Sequence, residues 1–214
     1  MVPSGRFREE VAPLATSRPA LVDTHAIAVW SEWGRITQFL ESVRVALARE
    51  HDLWTSLNIE TADDVTFTAT TGRDRYRVCI SDHLAAIADH DTLYASVLIH
   101  SYAIAESAAA HRLDVDPRGF AGIEDWGGRL LATTGETWDA VRGGLAGAVE
   151  VAVVRNAYAH GARCIDETAA KRLLAAGVTH RAEGDLVALN HTKLKAFRGR
   201  LKYLLRAGGI GHGG

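Results

Sequence analysis

After Asp23 and Thr24, either of which can cap a helix through its side-chain oxygen, the apolar residues Val29, Trp33, Ile36, Leu40, Val43 and Leu47 recur at spacings of four and three. That spacing keeps one side of a helix apolar along its length, and such a side is stable only when other helices cover it. The chain is thereby constrained towards a bundle. At 214 residues it has the size for a single core. The expectation is an all-α, up-and-down helical bundle with one or two small β-hairpin insertions.

The partners of that first helix can be read further along. Asp91 is a candidate cap for a helix over 92–112, with Leu93, Val97, Ser101, Ile104 and Ala108 on one stripe that should pack against the first. Between them, 65–70 and 73–80 are rich in β-branched and aromatic residues around Thr71-Gly72, which predicts a hairpin, and Ser81 can cap a short helix over 82–88. Asp116-Pro117-Arg118-Gly119 reads as a turn, and the stretch to Gly147 as short helical pieces interrupted by Gly127-Gly128, Gly135 and Gly143-Gly144. Residues 145–159, rich in Ala and Val and followed by Gly161, predict a buried helix closed by a left-handed glycine. Asp166 can cap a helix over 167–176. Residues 178–190, around Glu183-Gly184-Asp185, suggest a second hairpin before a last helix over 191–206. The segments 1–22 and 208–214 lack a period and are expected to form a loosely held arm and a Gly-rich tail around a domain spanning 23–207.

Composition narrows function chiefly by exclusion. A net charge of −2 announces neither a nucleic acid nor a membrane surface, so any such patch must be local. Cys79 and Cys164 lie far apart without a C-x-x-C pair, which argues against a disulfide framework or zinc ribbon and suits a reducing, cytoplasmic setting. No apolar run approaches the roughly 18 residues that span a bilayer, so no membrane association is expected. Neither H-E-x-x-H nor a Cys/His finger occurs, and His100, Glu106 and His111 form no i, i+4 ligand pair, so no metal is expected. Without a G-x-S-x-G elbow, a Walker loop or a G-x-G-x-x-G after a strand, common hydrolase, nucleotidase and dinucleotide readings fall away, and no cofactor is expected.

What remains is the end of the helix over 145–159. There Arg155 is followed five residues later by His160, with Asn156 beside the Arg and Gly161 directly after the His. The spacing alone is weak, because two such residues meet by chance in a chain of this size. The context is stronger. On a helix, Val149, Val153, Asn156 and His160 share a stripe while Arg155 projects to one side, so Arg155 and His160 can flank one groove. Asn156, one turn before His160, can bond its ring or backbone. An imidazole with a pKa near 6.5 can exchange a proton with an RNA 2′-hydroxyl or leaving oxygen, and a permanently charged, fork-shaped guanidinium can neutralise phosphoryl charge. A plainer reading is that the carbonyl end of a helix attracts Arg and His through its dipole. Tyr158 either stacks on a base or fills the helix interface, the latter being favoured.

The run Arg155-Asn156-Ala157-Tyr158-Ala159-His160, closing an apolar bundle helix, resembles the HEPN superfamily, whose members end such a helix with Arg, a polar residue often Asn, three further residues and His. More loosely, 98–106 is similar to the family's second helix, with Glu106 as the late acid. Glu106 either orients Arg155 or is a solvated carboxylate. The resemblance covers 24–206; the expected hairpins are not part of the minimal family bundle. It implies metal-independent RNA cleavage in a cleft where two copies of the motif helix face each other, hence a homodimer, in a toxin–antitoxin or antiviral defence setting with a possible antitoxin partner. Some members are inactive and partner nucleotidyltransferases, so the same resemblance admits a silent helical interaction module.

The last helix carries Lys193, Lys195, Arg198, Arg200, Lys202 and Arg206 without an acid, opposite an apolar stripe of Leu194, Phe197, Leu201, Leu204 and Leu205. This is the strongest local positive field. Most charge runs are solvated faces, yet Lys195, Arg198 and Lys202 are the expected RNA contacts if this face meets a phosphate backbone.

Overall fold

The fold is described from a computed structural model covering residues 23–57, 65–71 and 74–211. The expected N-terminal arm over 1–22, the tip of the hairpin at 72–73 and the last residues of the expected tail lie outside them. Helix α1 spans Thr24–Ser56, and of its two candidate caps Asp23 serves, its carboxylate accepting the N–H groups of His25 and Ala26 at 3.0 Å each. Its predicted stripe is buried at Val29, Trp33, Ile36 and Leu40 and only half-buried at Val43 and Leu47. Strands β1 (Thr66–Thr71) and β2 (Asp74–Cys79) form an antiparallel hairpin, in register from Thr66 opposite Cys79 to Thr71 opposite Asp74.

The short helix α2 (Ile80–Ala88) follows without a break and starts before Ser81, which therefore is not its cap. Helix α3 spans His90–Leu113 and is capped by Asp89, not Asp91, the carboxylate of Asp89 accepting the N–H of Asp91 at 3.1 Å. The displaced Asp91 is thereby free for a long-range task described below. On α3, Ala105, Ala108, Ala109 and Ala110 are buried beside Leu98, and such small side chains let other helices approach closely.

Helix α4 (Ile123–Ala132) passes through Gly127-Gly128 without interruption, contrary to the expectation of a break. A Cβ on Gly127 would lie 2.5 Å from the Trp138 ring, so this glycine admits the indole against the helix and does not end it. Helix α5 (Gly144–Ala159) is buried almost all round, from Val149 to Val154. Helix α6 (Glu167–Ala175) is capped by Asp166, and α7 (His191–Ala207) by Asn190, close to the predicted bounds.

These helices form a mostly helical bundle around α3, which packs against α1, α4, α5 and α7. Helices α1 and α3 run antiparallel: the His25 and His111 rings stack with centroids 3.5 Å apart, while Glu32 faces His100 further along. The second hairpin does not form. Residues 178–190 contain only an isolated bridge between Cys164 and Leu186. The expected tail is anchored through Ile210, which is buried and donates its N–H to Leu205 at 2.9 Å. Among the described residues, no helix is long and apolar enough to cross a membrane.

Candidate functional site

The end of α5 is shaped by one backbone reversal. His160 is the last residue before it, with φ −93° and its N–H bonded to the Asn156 carbonyl at 3.0 Å. Gly161 then takes φ +73°, the left-handed conformation that costs an L side chain energy, and donates to the Tyr158 carbonyl. No atom would crowd a Cβ there, so the backbone angle and not the space calls for glycine. Because the chain turns at this point, His160 is exposed while Val153 and Ala157 remain buried behind it.

His160 and Asn156 line a small pocket of about 190 Å³. Cys164 and Asp166 complete it from the connecting segment, and Thr168 and Arg172 from α6. Arg172 is held in place by Glu124 of α4, through Nε at 2.6 Å and Nη2 at 2.5 Å. Burial alone would raise the Glu124 carboxyl, but the Arg172 hydrogen bonds outweigh it and hold the group below its ordinary value.

Arg155 stands behind this pocket and not on its wall. Its guanidinium lies over the Tyr102 ring at 4.8 Å, and Nη1 donates to the Asn156 Oδ1 at 2.8 Å. The Asn156 side chain therefore orients Arg155, and only its backbone carbonyl bonds His160. Arg155 Nε is buried without a hydrogen-bond partner. Glu106, one turn after Tyr102 on α3, is half-buried; desolvation pushes its carboxyl up, and the charge of Arg155 offsets this only in part. Arg155 is thus tied by its side chain to Asn156, and Asn156 to His160 through the backbone alone.

Tyr158 leaves the site altogether. Its hydroxyl donates to Asp91 Oδ1 at 2.5 Å and lies 3.0 Å from the Val187 carbonyl, and the same Asp91 oxygen accepts the Leu189 N–H at 2.6 Å. Burial and then the Asp91 carboxylate push the phenol well above its ordinary range. Tyr158 is a strut tying α5 to α3 and to the segment before α7, in keeping with the interface reading.

The basic face expected on α7 is largely dismantled. Arg198 is buried, donating Nη2 to the Trp33 carbonyl at 3.2 Å and to Thr37 Oγ1 at 2.9 Å, with its guanidinium 5.0 Å from the Trp33 ring. Desolvation lowers its pKa to about 10, which leaves it charged at neutral pH but not available to a surface ligand. Lys202 Nζ lies 5.7 Å over the same indole, and Arg206 lies over Trp30 at 5.4 Å. Arg200 is turned to Glu150 at 2.7 Å. Of Lys195, Arg198 and Lys202, only Lys195 is fully on the surface.

Sequence reading missed Cys164, Asp166, Thr168 and Arg172 as pocket residues. A signal was present in part: once Asp166 is read as a cap, Thr168 and Arg172 fall at i and i+4 on one side of α6. Nothing local indicated that this side faces His160.

A larger cavity of about 700 Å³ lies between α1 and α3 and shares no residue with the His160 pocket. Its walls are mostly apolar, with Val29, Ile99, Ala103 and Ile104 among them. Volume favours this groove, whereas the His160 pocket gathers an imidazole, an amide, a hydroxyl and a guanidinium, the groups that acid–base chemistry on a polar substrate needs. No family model, curated protein or solved structure matches this chain.

Proposed function

We propose that the chain is a metal-independent endoribonuclease, with His160 and Arg155 as its catalytic residues. The observation that carries this reading is an exposed His160 that shares a pocket with Asn156, Asp166, Thr168 and Arg172, with Arg155 bonded to Asn156 directly behind it. In the reaction, an RNA 2′-oxygen attacks the adjacent phosphorus as its proton passes to a base, and the 5′-oxygen leaves as it takes up a proton. His160 serves one of these transfers. Arg155 balances the charge that develops on the phosphoryl oxygens. The products are a 2′,3′-cyclic phosphate and a 5′-hydroxyl.

Arg155 rests on Tyr102, set back from the pocket, so the working cleft is proposed to form when a second copy places its motif helix against this one. Lys195, exposed on α7, serves in this reading as a contact to the RNA backbone. A toxin or antiviral defence role, with an antitoxin partner, and a cytoplasmic location belong to the same reading. Full-length protein, His160→Ala and Arg155→Ala are compared for RNA cleavage after each is shown to be folded and in the same oligomeric state. The reading expects loss of at least about a hundredfold in each variant, the scale of one acid–base group or one charge-stabilising donor. A fully active His160→Ala would exclude it.

One observation favours a second reading, a catalytically silent interaction module for a nucleotidyltransferase or other protein. The α1–α3 groove is open and apolar, and Ile27 and Phe39 are exposed nearby on α1. Unchanged RNA with the wild-type protein, together with capture of a partner sensitive to Ser96→Arg in the groove, would favour that reading.

A further inference from the structure

The His160 pocket is built from more than the motif, and its charge decides what it suits. Arg172 is the one cation among its side chains of fixed charge, and Glu124 already matches that charge with two hydrogen bonds. Asp166 is the other lining residue of fixed charge, and its carboxylate has no such partner among the described residues. Such a wall offers a phosphate dianion no unmatched cation of fixed charge. At about 190 Å³ it also falls below the roughly 300–1,000 Å³ that hold a drug-sized ligand, so it suits one ring system and not a whole nucleotide. These properties together fit a nucleobase.

The polar groups narrow the choice of base. Asp166 presents a carboxylate whose Oδ1 accepts the Ala169 N–H at 2.7 Å, one of about four lone-pair sites on its two oxygens, so both oxygens keep acceptor capacity. The Asn156 Oδ1 is occupied by Arg155, which leaves the amide NH2 as that side chain's free donor. Arg172, fixed in orientation by Glu124, offers a flat guanidinium of the kind on which bases stack. Two adjacent donors on one Watson–Crick edge are what a carboxylate selects. Only guanine has them, in N1–H and the exocyclic NH2, with O6 beside them as an acceptor. Adenine and cytosine each set one donor beside a ring acceptor, and uracil sets its single N–H between two carbonyls.

We infer that the pocket formed by His160, Asn156, Asp166, Thr168 and Arg172 is a subsite for an unpaired guanine, placed so that the phosphodiester next to that guanine meets His160. This rests on the reading of His160 as part of an RNA-cutting site for its consequence, a preference for cutting beside G, but not for the binding itself.

The test uses full-length protein with GMP, AMP, CMP and UMP as probes, read by titration, and a randomised single-stranded RNA whose cut ends are mapped. GMP is expected to bind at least about tenfold tighter than the other three, the discrimination a bidentate pair confers. Asp166→Asn keeps a good helix cap and so preserves α6, yet it should reduce that preference to within about twofold. Equal affinity for all four nucleotides, or unchanged GMP preference in Asp166→Asn, overturns the subsite. RNA cut without regard to G, alongside equal nucleotide affinities, overturns the subsite and leaves the ribonuclease reading standing. GMP preference abolished by Asp166→Asn, with RNA left intact, does the reverse.

Discussion

Two positions separate Tyr158 from His160, which on a helix turns their side chains roughly 200° apart. That angle explains why one residue of the motif serves the fold and the other faces the pocket. Tyr158→Phe removes the hydroxyl that donates to Asp91, and hydrogen bonds to charged groups are worth about 1.5–3 kcal/mol. A loss of unfolding free energy of that size, with RNA cleavage unchanged in the folded protein, is the expected outcome of denaturant titration and activity assay. His25 gives a second residue-scale prediction. Burial, and then the stacked His111, lower its pKa from an ordinary 6.5 despite the opposing Asp23 carboxylate. The folded state then binds fewer protons than the unfolded chain, so stability is retained above about pH 6.5 and falls as the pH drops below it. A flatter pH dependence is expected in His25→Gln, measured by thermal unfolding between pH 5 and 8. The motif made Asn156 and His160 legible as neighbours, because both follow from helical spacing. The burial of Arg198 was not legible, since a run of charges on α7 says nothing of the two tryptophans waiting on α1.

Elements are joined by one charge cluster that periodicity passes over. Glu150 sits in the apolar middle of α5, only 6% exposed, and accepts from Arg200 of α7 at 2.7 Å, from Arg181 at 2.9 Å and from His180 at 3.2 Å. Burial by itself would raise its carboxyl, but these donors together outweigh that and hold it low. Breaking such a pair leaves uncompensated charge in the interior, so Glu150→Ala should destabilise the fold by about 3–5 kcal/mol, read by chemical denaturation. A cost under about 1 kcal/mol would show that water replaces the carboxylate. On α7, Lys195→Ala should weaken RNA binding and reduce its salt dependence by about one unit of slope. Arg198→Ala should instead lower stability, because Trp33 and Thr37 lose their partner. The helices themselves were well marked by caps and apolar stripes. Glycine was the poorer guide: Gly161 ends a helix as expected, whereas Gly127 lies within one and makes room for Trp138.

For the whole molecule, the apolar repeat that opens α1 carried most of the information, because it required a bundle, and α3, α5 and α7 supply its other walls. Long-range choices were not readable in the same way. Residues 178–190 have the turn chemistry of a hairpin, yet they are held as an irregular segment by the Cys164–Leu186 bridge, by Tyr158 and by the Asp91 that α3 does not use as its cap. The His160 pocket is lined by residues 153–172, and its long-range support is Glu124 of α4, which fixes Arg172. The central claim is that His160 and Arg155 cut RNA by its own 2′-hydroxyl. Its most direct test is incubation of the full-length protein with RNA and sequence-matched DNA in excess EDTA, with analysis of product ends. RNA cleaved to 2′,3′-cyclic phosphate ends, with DNA intact, is the predicted result. RNA left whole, or DNA cut equally well, would contradict it.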